Sequence, residues 1–100
     1  MSNRNTVINR GKHAIYDFVV ESRDYAGMET AFESLPHSYR RSQIGSGYSF
    51  FDGNRDHHYT VRGIDRARHI LNHYRRLLRK RKRGGFKVYD YYENHEDHES

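Results

Sequence analysis

Along residues 13–21 (HAIYDFVVE) the side chains alternate. Ala14, Tyr16, Phe18 and Val20 fall on one side, and Ile15, Asp17 and Val19 fall on the other. This period of two, apolar on one side and mixed on the other, predicts a strand in a sheet with one covered face. The period then changes. Over Tyr25–Leu35, Met28, Ala31, Phe32 and Leu35 recur at helical steps, with Ser22 or Asp24 available as N-cap and Pro36 as the stop. Residues 37–46 (HSYRRSQIGS) show neither period and read as a polar connection exposing Arg40 and Arg41. Gly47–Phe51 and His57–Arg62 read as two strands around Asp52-Gly53-Asn54, since an Asp-Gly pair tolerates the positive φ of a tight hairpin. His57, Tyr59 and Val61 share one face of the second strand, and His58, Thr60 and Arg62 share the other.

The longest periodic stretch is residues 63–85. Ile64, Ala67, Ile70, Leu71, Tyr74, Leu77 and Leu78 form one buried helical stripe. Asp65 stands in the first turn and cations in the last, complementing the helix dipole, and Gly84-Gly85 ends the segment. A final strand covers Phe86–Tyr92, with Phe86, Val88 and Tyr92 on one face and Lys87, Tyr89 and Tyr91 on the other.

In order these elements give β-α-β-β-α-β. The fold class expected is α+β, a ferredoxin-like antiparallel sheet with both helices on one face and the other face open. One hundred residues suffice for one such core. Residues 1–12 are expected to form a mobile basic arm, ordered at most near Val7 and Ile8. Residues 13–92 would be the single domain and residues 93–100 a disordered acidic tail.

Charge adds what periodicity lacks. The formal net charge is +5, but the last eight residues hold four of the 13 acids and no Lys or Arg. Residues 1–92 therefore set 18 Lys and Arg against nine acids. Nine of those 18 cations lie within residues 63–85 alone. Arg66, Arg68, Arg75, Arg76 and Arg79 flank the apolar stripe, and Lys80, Arg81, Lys82 and Arg83 follow without an acid between them. Packing like charges costs self-repulsion, so such a run points to a polyanionic partner. The expected partner is RNA or DNA, or a nucleoprotein complex, with those nine cations meeting phosphates and with Tyr89 and Tyr91, beside Lys87 on the open sheet face, stacking unpaired bases. A second reading from another class is a virus-encoded accessory or inhibitor protein that docks on an acidic host surface. Exposed tyrosines leave room for a homodimer through the helices or a sheet edge.

Gly47-Tyr48-Ser49-Phe50-Phe51 resembles a fragment of the RNA-recognition-motif signature, whose aromatic rings carry bases on the third strand. The resemblance covers five residues. Here the segment opens the hairpin as the second strand, and the first strand has no companion motif.

Other chemistry finds less support. There is no cysteine, which excludes disulfides and thiolate-bound zinc. His57 and His58 are strand neighbours and point to opposite faces. His69 and His73 have a zinc-compatible spacing, but His69-Ile70-Leu71-Asn72-His73 lacks the glutamate of the H-E-x-x-H motif. His95 and His98 in the tail offer no more than adventitious metal binding. His57 or His58 with Tyr74 is similar to the His-plus-Tyr pairing of single-strand DNA nickases, but the His-hydrophobic-His spacing is absent and Tyr74 lies on the buried stripe. Neither cofactor, metal nor catalysis is expected. With no run long enough for a membrane span or signal peptide, the expected location is cytoplasmic, or nuclear through Lys80–Arg83 in a eukaryotic host.

Overall fold

A computed structural model describes residues 6–82 and 85–91 of the chain. The elements are β1 (Ile15–Ser22), α1 (Tyr25–Glu33), α2 (His37–Arg40), β2 (Gln43–Tyr48), β3 (Arg55–Arg62), α3 (Ile64–Arg79) and β4 (Phe86–Asp90). The four strands form one antiparallel sheet in the order β2-β3-β1-β4. Alternation decides its faces. Tyr16, Phe18 and Val20 of β1, Tyr59 and Val61 of β3 and Val88 of β4 point into one cluster, which Met28 and Ala31 of α1 and Ile70, Leu71, Tyr74 and Leu78 of α3 fill from above. Both long helices therefore cover the same face. The result is a small α+β domain with a four-stranded sheet and, among the described residues, three helices.

Local chemistry accounts for the helix ends. The Asp24 carboxylate accepts the Gly27 amide at 2.9 Å and caps α1, satisfying a donor that the first turn leaves unpaired. α3 starts differently. Gly63 sits at φ 97°, where a Cβ would lie 2.8 Å from the Lys12 carbonyl oxygen, so only glycine lets the chain pass there. The Ile64 amide donates to the Gly11 carbonyl at 3.2 Å. In this way the segment before β1 closes the helix end that no side chain caps. The same segment buries Val7, and the Ile8 amide and Arg10 guanidinium both reach Asp90. Arg10 is thereby committed inside the fold. Residues 1–5 of the expected arm lie outside the described residues, as do Arg83, Gly84, Tyr92 and the tail 93–100.

Two expectations need correction. The second strand is Gln43–Tyr48, not Gly47–Phe51. It carries glycine at positions 45 and 47, which pair with His58 and Asp56 of β3, so its open-face sites lack the side chains that betray a strand. Its pairing is also irregular between Gln43 and Gly45. Ser49–Asn54 is then a loop closed by the Ser49 amide to the Asn54 carbonyl and the Gly53 amide to the Ser49 carbonyl, both 2.8 Å, with Gly53 at φ 72°. The connection after Pro36 contains α2, a single turn started by the Tyr39 and Arg40 amides on the Pro36 carbonyl.

Candidate nucleic-acid interface

α3 sets its buried stripe against the sheet and so fixes where its cations point. Arg68, Asn72, Arg75, Arg76 and Arg79 recur at steps of three and four on the side away from the core residues Ile70, Leu71, Tyr74 and Leu78. At 1.5 Å per residue this ridge runs about 16 Å along the helix axis. Arg68, Arg76 and Arg79 are exposed, and Lys80 and Lys82 continue the exposed series past the last helical turn. Arg75 is half-buried; it donates to Asn72 Oδ1 at 2.6 Å and its guanidinium lies 5.6 Å from the Phe86 ring. Arg66 projects from the opposite flank, 5.7 Å from the Tyr39 ring, which stacks at 4.5 Å on His69. Among the described residues, none of Arg66, Arg68, Arg76, Arg79, Lys80 or Lys82 forms an ion pair.

Arg81 departs from this pattern. α3 ends at Arg79, and the Arg81 amide turns back onto the Leu78 carbonyl at 3.0 Å. The Arg81 Nε then meets Asp24 Oδ2 at 2.5 Å. The cation run therefore does not continue the helix. One of its members is spent on tying the C-terminal end of α3 to the N-cap of α1, and that carboxylate holds the Arg81 guanidinium above its usual range.

The open sheet face is electrostatically mixed. Val19 lies opposite His58 and Tyr89, and Glu21 lies opposite Asp56 and Lys87. Asp17 pairs with His58, whose ring also meets Tyr91 edge-on at 4.9 Å. Tyr89 is 41% exposed but donates its hydroxyl to Glu21 Oε1 at 3.1 Å. Three carboxylates, Asp17, Glu21 and Asp56, thus share the face with Lys87, Arg62, Tyr89 and Tyr91. The expected residues Lys87, Tyr89 and Tyr91 do sit together on this face, separate from the α3 ridge, on the side of the sheet that α3 does not cover.

Beneath the helices lies a polar chain that sequence spacing does not reveal. His57 Nε2 is 3.0 Å from Glu29 Oε2, His57 Nδ1 is 2.7 Å from the Tyr74 hydroxyl, and that hydroxyl is 2.5 Å from the Tyr59 hydroxyl. A carboxylate only accepts, so Nε2 carries the proton, Tyr74 donates to Nδ1 and Tyr59 donates to Tyr74. Arg55 Nε holds the same Glu29 oxygen at 2.7 Å. Burial pushes the His57 imidazole below its ordinary pKa, outweighing the opposing pull of Glu29. Burial also drives both tyrosine hydroxyls far above theirs. Burial raises the Glu29 carboxyl as well, but hydrogen bonds from Arg55 and His57 outweigh it and leave the group below its ordinary value. His57 and Tyr74 do touch, as a His-plus-Tyr nuclease would need. Neither is accessible, however: they are 1% and 0% exposed, and the phenol is held in its neutral form. The chain is a satisfied core network.

His69 and His73 do not converge on a ligand. The His73 Nε2 faces the Ala31 carbonyl at 3.0 Å while His69 stacks on Tyr39. Among the described residues no three potential ligand side chains group for a metal, and no helix is long and apolar enough to cross a membrane. The segment that resembles the RNA-recognition motif lies at the end of edge strand β2, where Gly47 and Tyr48 pair with Asp56 and Arg55 of β3, and in the following loop, so it is not itself on a central strand. No known protein family, curated protein or solved structure matches the chain.

Proposed function

We propose that this chain is a small non-catalytic nucleic-acid-binding protein, built on a ferredoxin-like domain, whose α3 ridge lies along a phosphate backbone. One observation carries this: Arg68, Arg76 and Arg79 stand exposed along one side of a helix, Lys80 and Lys82 stand exposed just past its end, and no carboxylate among the described residues is paired to them. A merely solvated helix face would intersperse acids, and in α3 the one acid is Asp65 at the far end. A helix sets the backbone positions of these arginines at a fixed spacing along a phosphate track, their planar guanidinium groups suit bidentate phosphate contact, and each contact releases condensed counterions. The strand order β2-β3-β1-β4 with α1 and α3 on one face supports the fold half of the proposal.

The ridge outranks the open sheet face as the phosphate contact because the sheet face brings Asp17, Glu21 and Asp56 close to any bound strand. The test is the triple charge reversal R68E/R76E/R79E, titrated against fluorescein-labelled RNA and DNA of mixed sequence. Affinity for every nucleic acid that the wild type binds falls at least tenfold, while thermal stability stays nearly constant because none of the three side chains is buried. Binding that survives the reversal refutes the assignment.

A further inference from the structure

One pole of the domain gathers features that the ridge does not explain. Phe50 and Phe51, in the β2–β3 loop, are 92% and 97% exposed. Their loop is not frayed: besides its two backbone bonds, Asp52 accepts the Asn54 amide at 3.2 Å and the Asn54 side chain donates to Glu21 at 3.2 Å. Two of the chain's five phenylalanines are thus held in water by an ordered turn.

Behind them stands a wall of rings. Phe50 meets Tyr48 edge-on at 5.2 Å, Tyr48 meets Tyr25 edge-on at 5.7 Å, and the Arg55 guanidinium covers Tyr25 at 4.9 Å. Tyr25 and Tyr48 remain about half exposed, at 49% and 45%. Between the first turn of α1 and the loop, these two rings line a cleft of about 520 Å³ with Arg23, Asp24 and Asp52 also on its walls. The Arg81–Asp24 bridge ties the end of α3 to the N-cap of α1 on the cleft wall, which brings the chain segment carrying the exposed Lys80 and Lys82 to the same end of the domain.

Resting on the nucleic-acid reading above, we infer that this pole binds the unpaired bases of a single strand. Bases stack on Phe50 and Phe51 and one enters the Tyr25–Tyr48 cleft, while the adjoining phosphates lie on Arg23, Lys80 and Lys82. Three features favour this occupant. Aromatic faces beside a track of cations are the means by which single strands are held irrespective of sequence. The cleft is concave and walled by tyrosines, whose flat faces suit a planar base. Asp52, on the cleft wall, can accept the amino or imino proton of a base. A paired duplex presents no base faces to the rings and gains nothing from them.

The full-length chain is titrated against a fluorescein-labelled dT12 strand, a 12-base-pair duplex, and vesicles of phosphatidylcholine with phosphatidylserine, as wild type and as F50A/F51A. Both side chains are solvent-exposed, so the variant keeps its melting temperature, which is checked by circular dichroism. Affinity for dT12 drops at least tenfold in F50A/F51A and duplex affinity stays within twofold. Equal binding of dT12 by the two proteins overturns the tip assignment and leaves the ridge untouched. Failure of the wild type to bind either nucleic acid overturns the ridge as well. Co-sedimentation with vesicles that is lost in F50A/F51A, with dT12 binding unaffected, makes the pole a membrane contact and refutes the proposal.

Discussion

At Tyr74 a single hydroxyl oxygen connects two elements, because it donates to His57 of β3 and accepts from Tyr59 of the same strand. Replacing Tyr74 by Phe keeps the ring in the core but leaves a buried imidazole acceptor and a buried phenol donor without a partner. Unsatisfied buried groups cost about 1–3 kcal/mol, so Y74F loses about that much unfolding free energy and its urea midpoint falls with an unchanged m-value. A variant as stable as wild type would mean that water replaces the hydroxyl. His57 gives the same network a pH dependence. Burial holds its folded pKa below the unfolded value, so below that unfolded value, about 6.5, the unfolded chain binds a proton that the folded chain does not. Stability therefore falls as pH drops through the region of 6.5 and below, by up to about 1.4 kcal/mol per pH unit for this one proton. His73, lowered by burial at the C-terminal end of α1, acts in the same sense. The depressed Glu29 carboxyl adds its own loss at lower pH, as pH falls from its unfolded value through its lower folded pKa. Urea titrations at pH 7.5, 6.5 and 5.5 check the sign; a midpoint that holds or rises on acidification contradicts it. Sequence placed His57, Tyr59 and Val61 on one face correctly. It left Tyr74 as an apolar stripe residue because its polar partners lie 15 and 17 positions away, a proximity that only the packing of α3 on β3 creates.

Among the elements, those with strong periodicity were legible and those without it were not. β1, β3, β4 and α3 follow their apolar spacing to within a few residues, since each buries one face of regular side chains. β2 was displaced because Gly45 and Gly47 give its open face no pattern, while the apolar Phe50 and Phe51 that drew the assignment are solvent-exposed loop residues. The junction of α1 with the end of α3 was also hidden, for Asp24 and Arg81 are 57 positions apart. That junction decides an otherwise ambiguous substitution. Gly27 lies inside α1, where alanine ordinarily gains about 1 kcal/mol in helix propensity. Here a Cβ would stand 2.6 Å from Asp24 Oδ2 and 2.7 Å from Arg81 Nε. Asp24 must then move, losing a cap worth about 1 kcal/mol and separating a buried carboxylate from its cation. G27A accordingly lowers the melting temperature instead of raising it, as a thermal melt would show; a rise would mean that the carboxylate relocates without loss.

For the molecule as a whole, charge and shape divide the labour between surfaces. The helix face carries exposed cations along α3, the opposite sheet face mixes acids with Lys87 and Tyr89, and the loop pole adds exposed rings. The concentration of cations in residues 63–85 was visible in the sequence, but their partition was not: Arg66 lies on the far flank, Arg75 is half-buried and Arg81 is committed to Asp24. The remaining ridge is proposed to displace counterions from a polyanion. Its most direct test is the salt dependence of binding to a labelled 12-mer, measured by fluorescence anisotropy for wild type and for R76E/R79E. Five ridge contacts predict that log K falls against log salt with a slope of roughly −3.5 for a single strand or −4.5 for duplex, and that the double reversal flattens it by at least the two contacts removed. A slope near zero, or one the reversal leaves unchanged, would contradict the account.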